Sequence, residues 1–318
     1  MKKRILITGA NGQVGTKLYD YLMEFGNCQI IASDISENKF NFPEYEKLDV
    51  TSYSDYVDVI VKHGVTQVYH MAAILSSKGE INNQLAWNVN MNGLMNTLNI
   101  AKEYNINKIF YPSTIAVFAE PFDNGIANQN TISTPTTMYG MNKLAGENLC
   151  NYYHHKFGLD IRSIRYPGII GPENNAGGGT TDYAVEIFHH AVKNESYNCF
   201  LSAPTTLPMI YIDDAIRATI ELMSVNKDKI KIRTSYNLAG ISFSPYQIAQ
   251  EIKKHIPNFR MTYFQDHRQS IADSWPQYIN DDEARNDWSW KHEYDLSEMV
   301  QAILDQLIPN QYPNIETA

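Results

Sequence analysis

The stretch Ile5-Leu6-Ile7-Thr8-Gly9-Ala10-Asn11-Gly12-Gln13-Val14-Gly15 decides the fold of this chain. Together with Arg4, its first part is a short apolar run without polar alternation. Such a run predicts a buried strand of a parallel sheet that is covered on both faces. Three glycines follow at once with the spacing G-x-x-G-x-x-G, which differs from the commoner G-x-G-x-x-G. A buried strand that passes into a glycine turn is typical of the start of a doubly wound α/β fold.

An amphipathic helix follows the glycine turn. Its apolar residues recur on one face of the helix, and Gly26 can end the helix. They are Val14, Leu18, Tyr21, Leu22 and Phe25. Strand, turn and helix place backbone N–H groups and a positive helix end where a pyrophosphate can bind. Taken alone, the turn also fits a tight connection without a ligand, and this alternative stays open here. The residues of the turn predicted to contact a dinucleotide are Gly9, Asn11, Gly12, Gln13, Val14 and Gly15.

An acidic residue stands at the end of the second predicted strand. The strand Ile30-Ile31-Ala32-Ser33 ends on Asp34, 19 residues after Gly15. A carboxylate at this place can accept hydrogen bonds from adenosine ribose hydroxyls and repels a 2′-phosphate, so the sequence favours NAD over NADP. A solvated strand-end residue is the alternative. Leu48-Asp49-Val50 predicts the end of a third strand, where Asp49 and Val50 could meet the adenine.

The fourth and fifth predicted strands lead to small and hydroxyl-bearing residues. The segment 68–73 is the fourth strand and its exit, and the small residues Ala72 and Ala73 would let a dinucleotide lie close to the backbone. A helix of about 84–104 follows and carries Asn90, a further candidate for cofactor contact. The fifth strand, 108–111, delivers Ser113 and Thr114 to a sheet edge where ligands of open parallel sheets bind. We interpret His70 as a packed strand residue.

Tyr139 and Lys143 carry the proposed chemistry. They lie four residues apart, so they share one face of a helix predicted over 139–156. A free tyrosine has a pKa of about 10. A nearby ammonium favours phenolate, so we expect Lys143 to lower the pKa of Tyr139. Ser113 or Thr114 would hold the substrate oxygen. A Tyr-x-x-x-Lys pair alone also fits an exposed helix pair.

In this order and spacing, the residues resemble the extended short-chain dehydrogenase/reductase superfamily, which includes sugar-nucleotide epimerases. The resemblance covers nearly the whole chain and extends to Arg165-Tyr166-Pro167-Gly168, 211–215 and 287–290. It implies a Rossmann doubly wound parallel sheet with a smaller C-terminal α/β substrate lobe. It also implies that Lys143 contacts a cofactor ribose, that Tyr166 lies near the nicotinamide, and that two helices, 84–104 and 139–156, pair in a homodimer.

One branch of that superfamily is most similar, the L-threonine 3-dehydrogenases of the short-chain type. Four separated segments carry this resemblance: 73–76, 135–140, 177–185 and 273–276. The resemblance implies an NAD-dependent oxidation of a small amino acid, with Tyr139 as the base. It implies that these residues, in addition to Thr114 and Tyr139, face the substrate: Ser76, Gly179, Thr180, Thr181 and Trp275.

The charge pattern of the second half agrees with a small zwitterion. From Gly171 to Met209 the chain holds one cation, Lys193. A nucleotide-sugar presents a second pyrophosphate, which should attract arginine or lysine. Glycine N–H groups and threonine hydroxyls suffice for an amino-acid carboxylate. Two alternatives stay open, a nucleotide-sugar epimerase or dehydratase and a non-catalytic dinucleotide sensor. A flexible surface loop is the alternative for the glycines at 177–179.

Composition sets the outer bounds. The chain has 318 residues, of which 43% are hydrophobic, so it can bury a large core. A net charge of −9 argues against nucleic acid and an anionic membrane as partners. The chain enters a strand almost immediately and has no apolar run of about 18 residues, so we expect neither a signal peptide nor a membrane span. Cys28, Cys150 and Cys199 suit a reducing cytoplasm and have no metal-ligand spacing.

We expect three parts along the chain. An NAD-binding domain of 1–169 is rejoined by about 209–240, a substrate-binding lobe comprises about 170–208 and 241–295, and 296–318 forms a C-terminal helix and tail.

Overall fold

The computed structural model describes residues 3–24, 26, 28–119, 121–172 and 179–308. Phe25 of the first helix face, Gly177 and Gly178 of the glycine run, and the tail from Pro309 lie outside the described residues. The strands are β1 Lys3–Thr8, β2 Cys28–Asp34, β3 Tyr45–Lys47, β4 Gln67–His70, β5 Lys108–Thr114, β6 Ile126–Ala127, β7 Ile161–Tyr166, β8 Gly168–Ile170, β9 Tyr197–Cys199, β10 Leu207–Tyr211, β11 Tyr236–Asn237, β12 Ile241–Phe243, β13 Met261–Tyr263 and β14 Tyr278–Ile279.

Helices connect most of these strands. They are α1 Gln13–Glu24, α2 Tyr53–His63, α3 Ser76–Ile81, α4 Asn83–Trp87, α5 Gly93–Glu103, α6 Met138–Phe157, α7 Tyr183–Val192, α8 Ile212–Ser224, α9 Pro245–His255, α10 Arg268–Asp273, α11 Asp282–Trp288 and α12 Leu296–Leu307. A π-helical turn, Asn88–Asn92, lies between α4 and α5. Within the described ranges, no helix is long and apolar enough to cross a membrane.

A parallel sheet with the order β11-β7-β5-β4-β1-β2-β3 organises the described chain. The order reverses between β1 and β4, because β2 and β3 lie on one side of β1 and the later strands lie on the other. This is the arrangement of a Rossmann sheet, and it confirms the predicted fold class. The carboxyl ends of β1 and β4 meet at the reversal, where ligands bind in such sheets.

The apolar strands supply residues to both faces of the sheet. In β1, Ile5 and Ile7 belong to one hydrophobic core and Leu6 to another. Alternation along a strand requires this, since successive side chains point to opposite faces. The first core contains α1 and α8, and the second contains α2 and α5. Both faces are therefore covered, which explains why the strand sequence lacks polar alternation.

The boundaries of the third and fifth strands differ from the sequence prediction, and that of the fourth agrees with it. The third strand ends at Lys47, so Asp49 and Val50 lie in the loop after it. The fourth ends at His70, so Ala72 and Ala73 lie in its exit loop. The fifth runs to Thr114, because Ser113 and Thr114 continue the pairing with β7. His70 is buried and its ring contacts the Thr97 hydroxyl, as expected for a packed strand residue.

Smaller sheets lie beyond the large one. In the described segments, β8, β10 and β12 form a three-stranded sheet, and the pairs β9–β13 and β6–β14 form two-stranded ones. β8 follows β7 after one residue, Pro167, so the chain passes from the large sheet into the smaller one beside the carboxyl end of β7. The later segments 179–182 and 275 can therefore reach the edge of the large sheet.

Candidate active site

A cavity of about 620 Å³ lies at the carboxyl edge of the large sheet, where the strand order reverses. Cofactor and ligand sites typically have volumes of about 300–1,000 Å³. The structure brings most of the predicted site residues into its lining. They are Gly9, Gly12, Gln13, Val14, Gly15, Asp34, Asp49, Val50, Ala72, Ala73, Ser76, Ser113, Thr114, Tyr139, Lys143, Tyr166, Gly179, Thr180, Thr181 and Trp275. Among the described residues, Asn11 and Asn90 are the two predicted site residues outside this lining.

The glycine turn is shaped for close approach of another backbone. Gly9 has a positive φ of 68°, and a Cβ atom added to it would lie 2.7 Å from the Ala72 nitrogen. A Cβ on Gly15 would overlap the Gly9 carbonyl oxygen, so α1 starts close against the end of β1. At Gly12 an added Cβ would have one neighbour within 4 Å, the Gly9 oxygen at 3.3 Å. Gly12 therefore leaves the start of α1 open toward the cavity.

Asp34 stands at the end of β2 with its carboxylate held in place. Asp34 Oδ2 accepts from the Asn11 backbone N–H at 3.2 Å, and Oδ1 accepts from the backbone and hydroxyl of Ser36. Asn11 is not part of the cavity lining, and its side chain donates to Ser36 Oγ and the Glu37 carbonyl. Asn11 thus positions the loop after Asp34, while Asp34 presents its negative charge at the cavity.

Asn90 is buried and binds the loop that leads to Ser76. Its Oδ1 accepts from the Ile74 backbone N–H at 2.8 Å, and its Nδ2 donates to the Ile74 carbonyl at 3.0 Å. Nδ2 also lies 3.3 Å from Asn142 Oδ1 on α6. The π-helical turn carries Asn90, so this irregular helix segment ties the cavity wall to α6.

Tyr139 and Lys143 begin α6 against the end of β5. Thr137 caps this helix by accepting from the Gly140 N–H. A Cβ on Gly140 would overlap the Ala116 carbonyl, so glycine lets the helix start lie close to the turn after Thr114. Lys143 Nζ donates to the Pro112 carbonyl at 2.7 Å and lies 5.7 Å from the centroid of the Tyr139 ring.

The expected lowering of the Tyr139 pKa is wrong for this geometry. Burial raises the pKa of Tyr139 above its usual value. Burial also lowers the pKa of Lys143 to about 8, with Cys150 and Glu147 opposing this. Desolvation disfavours the charged form of each group, and it acts on both because both are enclosed. Spacing in the sequence indicated that the groups are neighbours, but it did not reveal their burial.

A buried ion pair lies behind Ser113. The Arg165 guanidinium donates to both carboxylate oxygens of Glu147, at 2.9 and 2.7 Å. Ser113 Oγ donates to the same carboxylate at 2.5 Å. Thr114 instead accepts from the Ala116 N–H at 3.2 Å, which leaves its hydroxyl hydrogen for another partner. The two neighbouring hydroxyls therefore differ, and Thr114 is the better donor to a ligand oxygen.

The wall of the cavity formed by residues 179–182 and Trp275 is polar but has little positive charge. Thr180 is buried, and Thr181 lies against β8, where a Cβ on Gly168 would come within 2.7 Å of its methyl group. Asp182 accepts from the Gly179 N–H at 2.7 Å. Trp275, 9% exposed, closes this side after α10. Among the described lining residues, Lys143 is the one lysine or arginine.

Sequence reasoning missed several residues of the site. Glu147 lies four residues after Lys143, so the helix spacing could have placed it on the same face. Its partner Arg165 comes from another element, which no local spacing predicts. Asp182 directly follows the quoted Thr181. The apolar residues of the lining were not predicted as contacts, although some of them lie in segments quoted above: Ile35, Leu48, Met71, Ile74, Leu75, Leu85, Val89, Pro112, Ile115, Pro167, Gly168 and Ile169. In the described part of the chain, no group of three or more metal-ligating side chains is present.

Fold and cavity together define a dinucleotide-dependent enzyme of the extended short-chain dehydrogenase/reductase type. The chain belongs to the NAD dependent epimerase/dehydratase family, whose model matches residues 5–239. This confirms the superfamily that the sequence motifs resemble.

Three similar proteins are named as L-threonine dehydrogenases. The mitochondrial L-threonine 3-dehydrogenase of Bos taurus is 43% identical over 96% of this chain and 82% of its own length. The GalE-like L-threonine dehydrogenase from Cupriavidus necator, a holo form, is 47% identical with a TM-score of 0.93, covering 96% of this chain and 99% of that one. A monomeric L-threonine 3-dehydrogenase from a metagenome is 45% identical, again with a TM-score of 0.93 and coverage of 96% and 99%.

Proposed function

We propose that this chain is an NAD-dependent L-threonine 3-dehydrogenase. The reaction converts L-threonine and NAD⁺ into L-2-amino-3-ketobutyrate, NADH and a proton. One observation carries the proposal: Tyr139, Lys143 and Thr114 line the same cavity as the glycine turn and Asp34. Relatives at 43–47% identity that are named L-threonine dehydrogenases support the choice of substrate.

The glycine turn and its surroundings fit NAD. The open side of Gly12, the start of α1 and the Asp34 carboxylate would hold the pyrophosphate and the adenosine ribose. When bound, NAD supplies the hydride acceptor and a positive nicotinamide ring, whose charge favours a neighbouring phenolate. The Asp34 charge disfavours the 2′-phosphate of NADP.

The side chains of this chain orient the substrate and move its proton. The Thr114 hydroxyl donates to the C3 oxygen, and Tyr139 accepts the proton of the C3 hydroxyl as general base. The Lys143 ammonium stabilises the charge that develops on Tyr139 and contacts the ribose. Ser76, Thr180 and Thr181 supply donors to the amino-acid carboxylate, Gly179 lies beside them in the turn, and Trp275 excludes water from this end.

A nucleotide-sugar epimerase is the competing enzyme class in this family. Its substrate carries a second pyrophosphate, for which the described cavity lining offers no arginine and no lysine besides Lys143. A non-catalytic sensor would have no use for the buried Tyr139–Lys143 pair. The oxidation of a small zwitterion accounts for both observations.

The test is a substrate and cofactor panel with the purified protein. We expect L-threonine to produce NADH, read at 340 nm, with NAD used in clear preference to NADP. UDP-hexoses should be neither interconverted nor oxidised. Interconversion of UDP-hexoses without any response to L-threonine would overturn the proposal. Equal use of NAD and NADP would contradict the proposal that the Asp34 carboxylate disfavours NADP.

We also propose a cytoplasmic homodimer. The support is the outward surface of α6, where Met141 and Tyr152 are exposed, and three cysteines without a disulfide. One relative named above is described as monomeric, so the oligomeric state needs its own measurement. Analytical ultracentrifugation should give twice the mass of 36.3 kDa, and Met141→Glu with Tyr152→Glu should give a monomer. A monomeric unaltered protein would contradict the dimer.

A further inference from the structure

Lys143 rests on an aromatic ring that the mechanism does not use. Its Nζ lies 4.7 Å from the centroid of the Tyr111 ring on β5, closer than to the Tyr139 ring. An ammonium within about 6 Å of a ring centroid is attracted by the negative face of the ring. The Pro112 carbonyl accepts from the same Nζ, so β5 supplies two of the groups that stabilise this charge.

Tyr111 does not occupy this place for the sake of its hydroxyl. The side chain is buried, and its hydroxyl has no hydrogen-bond partner among the described residues. The ring fits because residue 146 on α6 is glycine, since an added Cβ there would overlap the Tyr111 hydroxyl. A buried hydroxyl without a partner costs stability, so the useful part of Tyr111 is its ring.

We propose that Tyr111 is a positioning residue that acts through Lys143: the face of its ring holds the buried ammonium in place and in its charged form. Gly146 is the companion residue that makes room for this ring. For its kinetic consequence the inference rests on the proposed function, whereas its electrostatic part concerns the protein alone.

Other titratable and charged groups face Lys143 from α6, β4 and β7. On α6, burial raises the pKa values of Tyr139 and of the Cys150 thiol. On β4, burial and the Lys143 charge lower the pKa of His70 to about 3, so it stays neutral. From β7, Arg165 pairs with Glu147 and keeps that carboxylate hydrogen-bonded. Lys143, with a pKa of about 8, is therefore the group expected to titrate between pH 7 and 9.

Two substitutions separate the ring from the hydroxyl. Tyr111→Phe keeps the ring and removes the unpartnered hydroxyl, while Tyr111→Leu removes the aromatic face and keeps the site apolar. Phe157→Leu is the matched control, because Phe157 forms a similar contact of 5.1 Å with Lys102 on the surface. Fluorinated phenylalanines at position 111 form a third series, which preserves shape and weakens the negative ring face.

The first readout is the Lys143 pKa, followed by ¹³C NMR of protein with labelled lysine in the absence of NAD. We expect Tyr111→Leu to lower that pKa by about 0.5–1.5 units, as a cation–π contact of the usual strength implies. Tyr111→Phe and Phe157→Leu should leave it unchanged. Each added fluorine should lower the Lys143 pKa further. If the leucine variant does not fold, this series tests the role of the ring, and a Lys143 pKa that does not change with fluorination would overturn the inference. An unchanged or higher pKa in the folded leucine variant would overturn the inference.

The second readout is the alkaline limb of kcat/KM for L-threonine, which should move to lower pH with the NMR value. A shifted pKa with an unmoved limb would refute the kinetic role of Tyr111. A protein that is inactive toward L-threonine would contradict the proposed function. The NMR measurement would then still test whether Tyr111 raises the Lys143 pKa.

Discussion

Ser113 and Thr114 are adjacent hydroxyl residues whose hydrogen atoms have different partners. The Ser113 hydroxyl donates to the buried Glu147 carboxylate, while the Thr114 oxygen accepts from Ala116 and keeps its hydrogen for a ligand. The sequence placed both residues at the sheet edge but could not distinguish them. The distinction depends on Glu147 and Arg165, which come from two other elements.

This distinction predicts different losses on substitution. Thr114→Ala should lower kcat/KM by roughly 10²-fold, within the range for loss of one donor to a developing oxyanion, and Thr114→Ser should restore most of the rate. Ser113→Ala should reduce kcat/KM less, by about tenfold at most, because Ser113 donates to Glu147 and not to the substrate. It should cost about 1–3 kcal/mol of folding free energy, because Glu147 loses a buried hydrogen bond. Steady-state kinetics and urea unfolding of the three variants check this. A greater kinetic loss for Ser113→Ala than for Thr114→Ala would reverse the assignment.

At the scale of elements, α6 concentrates the chemistry on one face. The i, i+4 spacing in the sequence predicted that Tyr139 and Lys143 are neighbours, and Glu147 extends the same face. The predicted direction of the Tyr139 pKa was wrong, because a helix pattern carries no information about how deeply β5 and β7 enclose that face. Burial dominates here, and it acts on Lys143 as well.

Enclosure of Lys143 predicts a stability effect that depends on pH. Below its folded pKa of about 8 the buried ammonium destabilises the fold. Between that value and the ordinary value of about 10.4 the unfolded chain binds more protons, so the stability of the unaltered protein rises with pH. Lys143→Met should therefore be more stable than the unaltered protein at pH 7, by about 1–3 kcal/mol, and this difference should shrink toward pH 10.

Denaturant unfolding at pH 7, 8, 9 and 10 measures this difference. Lys102→Met on the exposed face of α5 is the control, and its difference from the unaltered protein should not change with pH. A gain for Lys143→Met that stays constant from pH 7 to 10 would show that the lysine keeps its ordinary pKa in the folded protein.

At the scale of the whole molecule, the large sheet was predictable and the smaller sheets were not. Strands β1, β2, β4 and β5 carry apolar segments with glycine, acidic, small or hydroxyl residues at or after their ends, which predicts a parallel sheet with a ligand-binding edge. Strand β7 contains two arginines and a serine, so its place was implied by resemblance and not by an apolar run. Strands of two or three residues, such as β6 and β14, are too short for a hydrophobic period. Pairings such as β10 with β8 also depend on contacts distant in the sequence. The proposed division into cofactor and substrate parts stays a prediction.

The polar wall of the cavity also could not be predicted from sequence spacing alone. Thr180, Thr181 and Trp275 were predicted from resemblance, because a glycine-threonine segment and a distant tryptophan have no spacing rule that joins them. The cavity joins them through the turn at 179–182 and the end of α10. The charge of this wall was predictable from the sequence, because Lys193 is the one lysine or arginine between 171 and 209, and the described cavity lining has little positive charge.

The most direct test of the proposed function follows one atom. L-Threonine labelled with deuterium at C3 is incubated with the unaltered protein and NAD, and the reduced cofactor is analysed by mass spectrometry. We predict one deuterium per reduced nicotinamide, and a loss of this transfer by roughly 10²-fold or more in Tyr139→Phe, which keeps the ring and removes the proton acceptor. Reduced cofactor without deuterium, or a Tyr139→Phe variant that transfers it at the normal rate, would contradict the account.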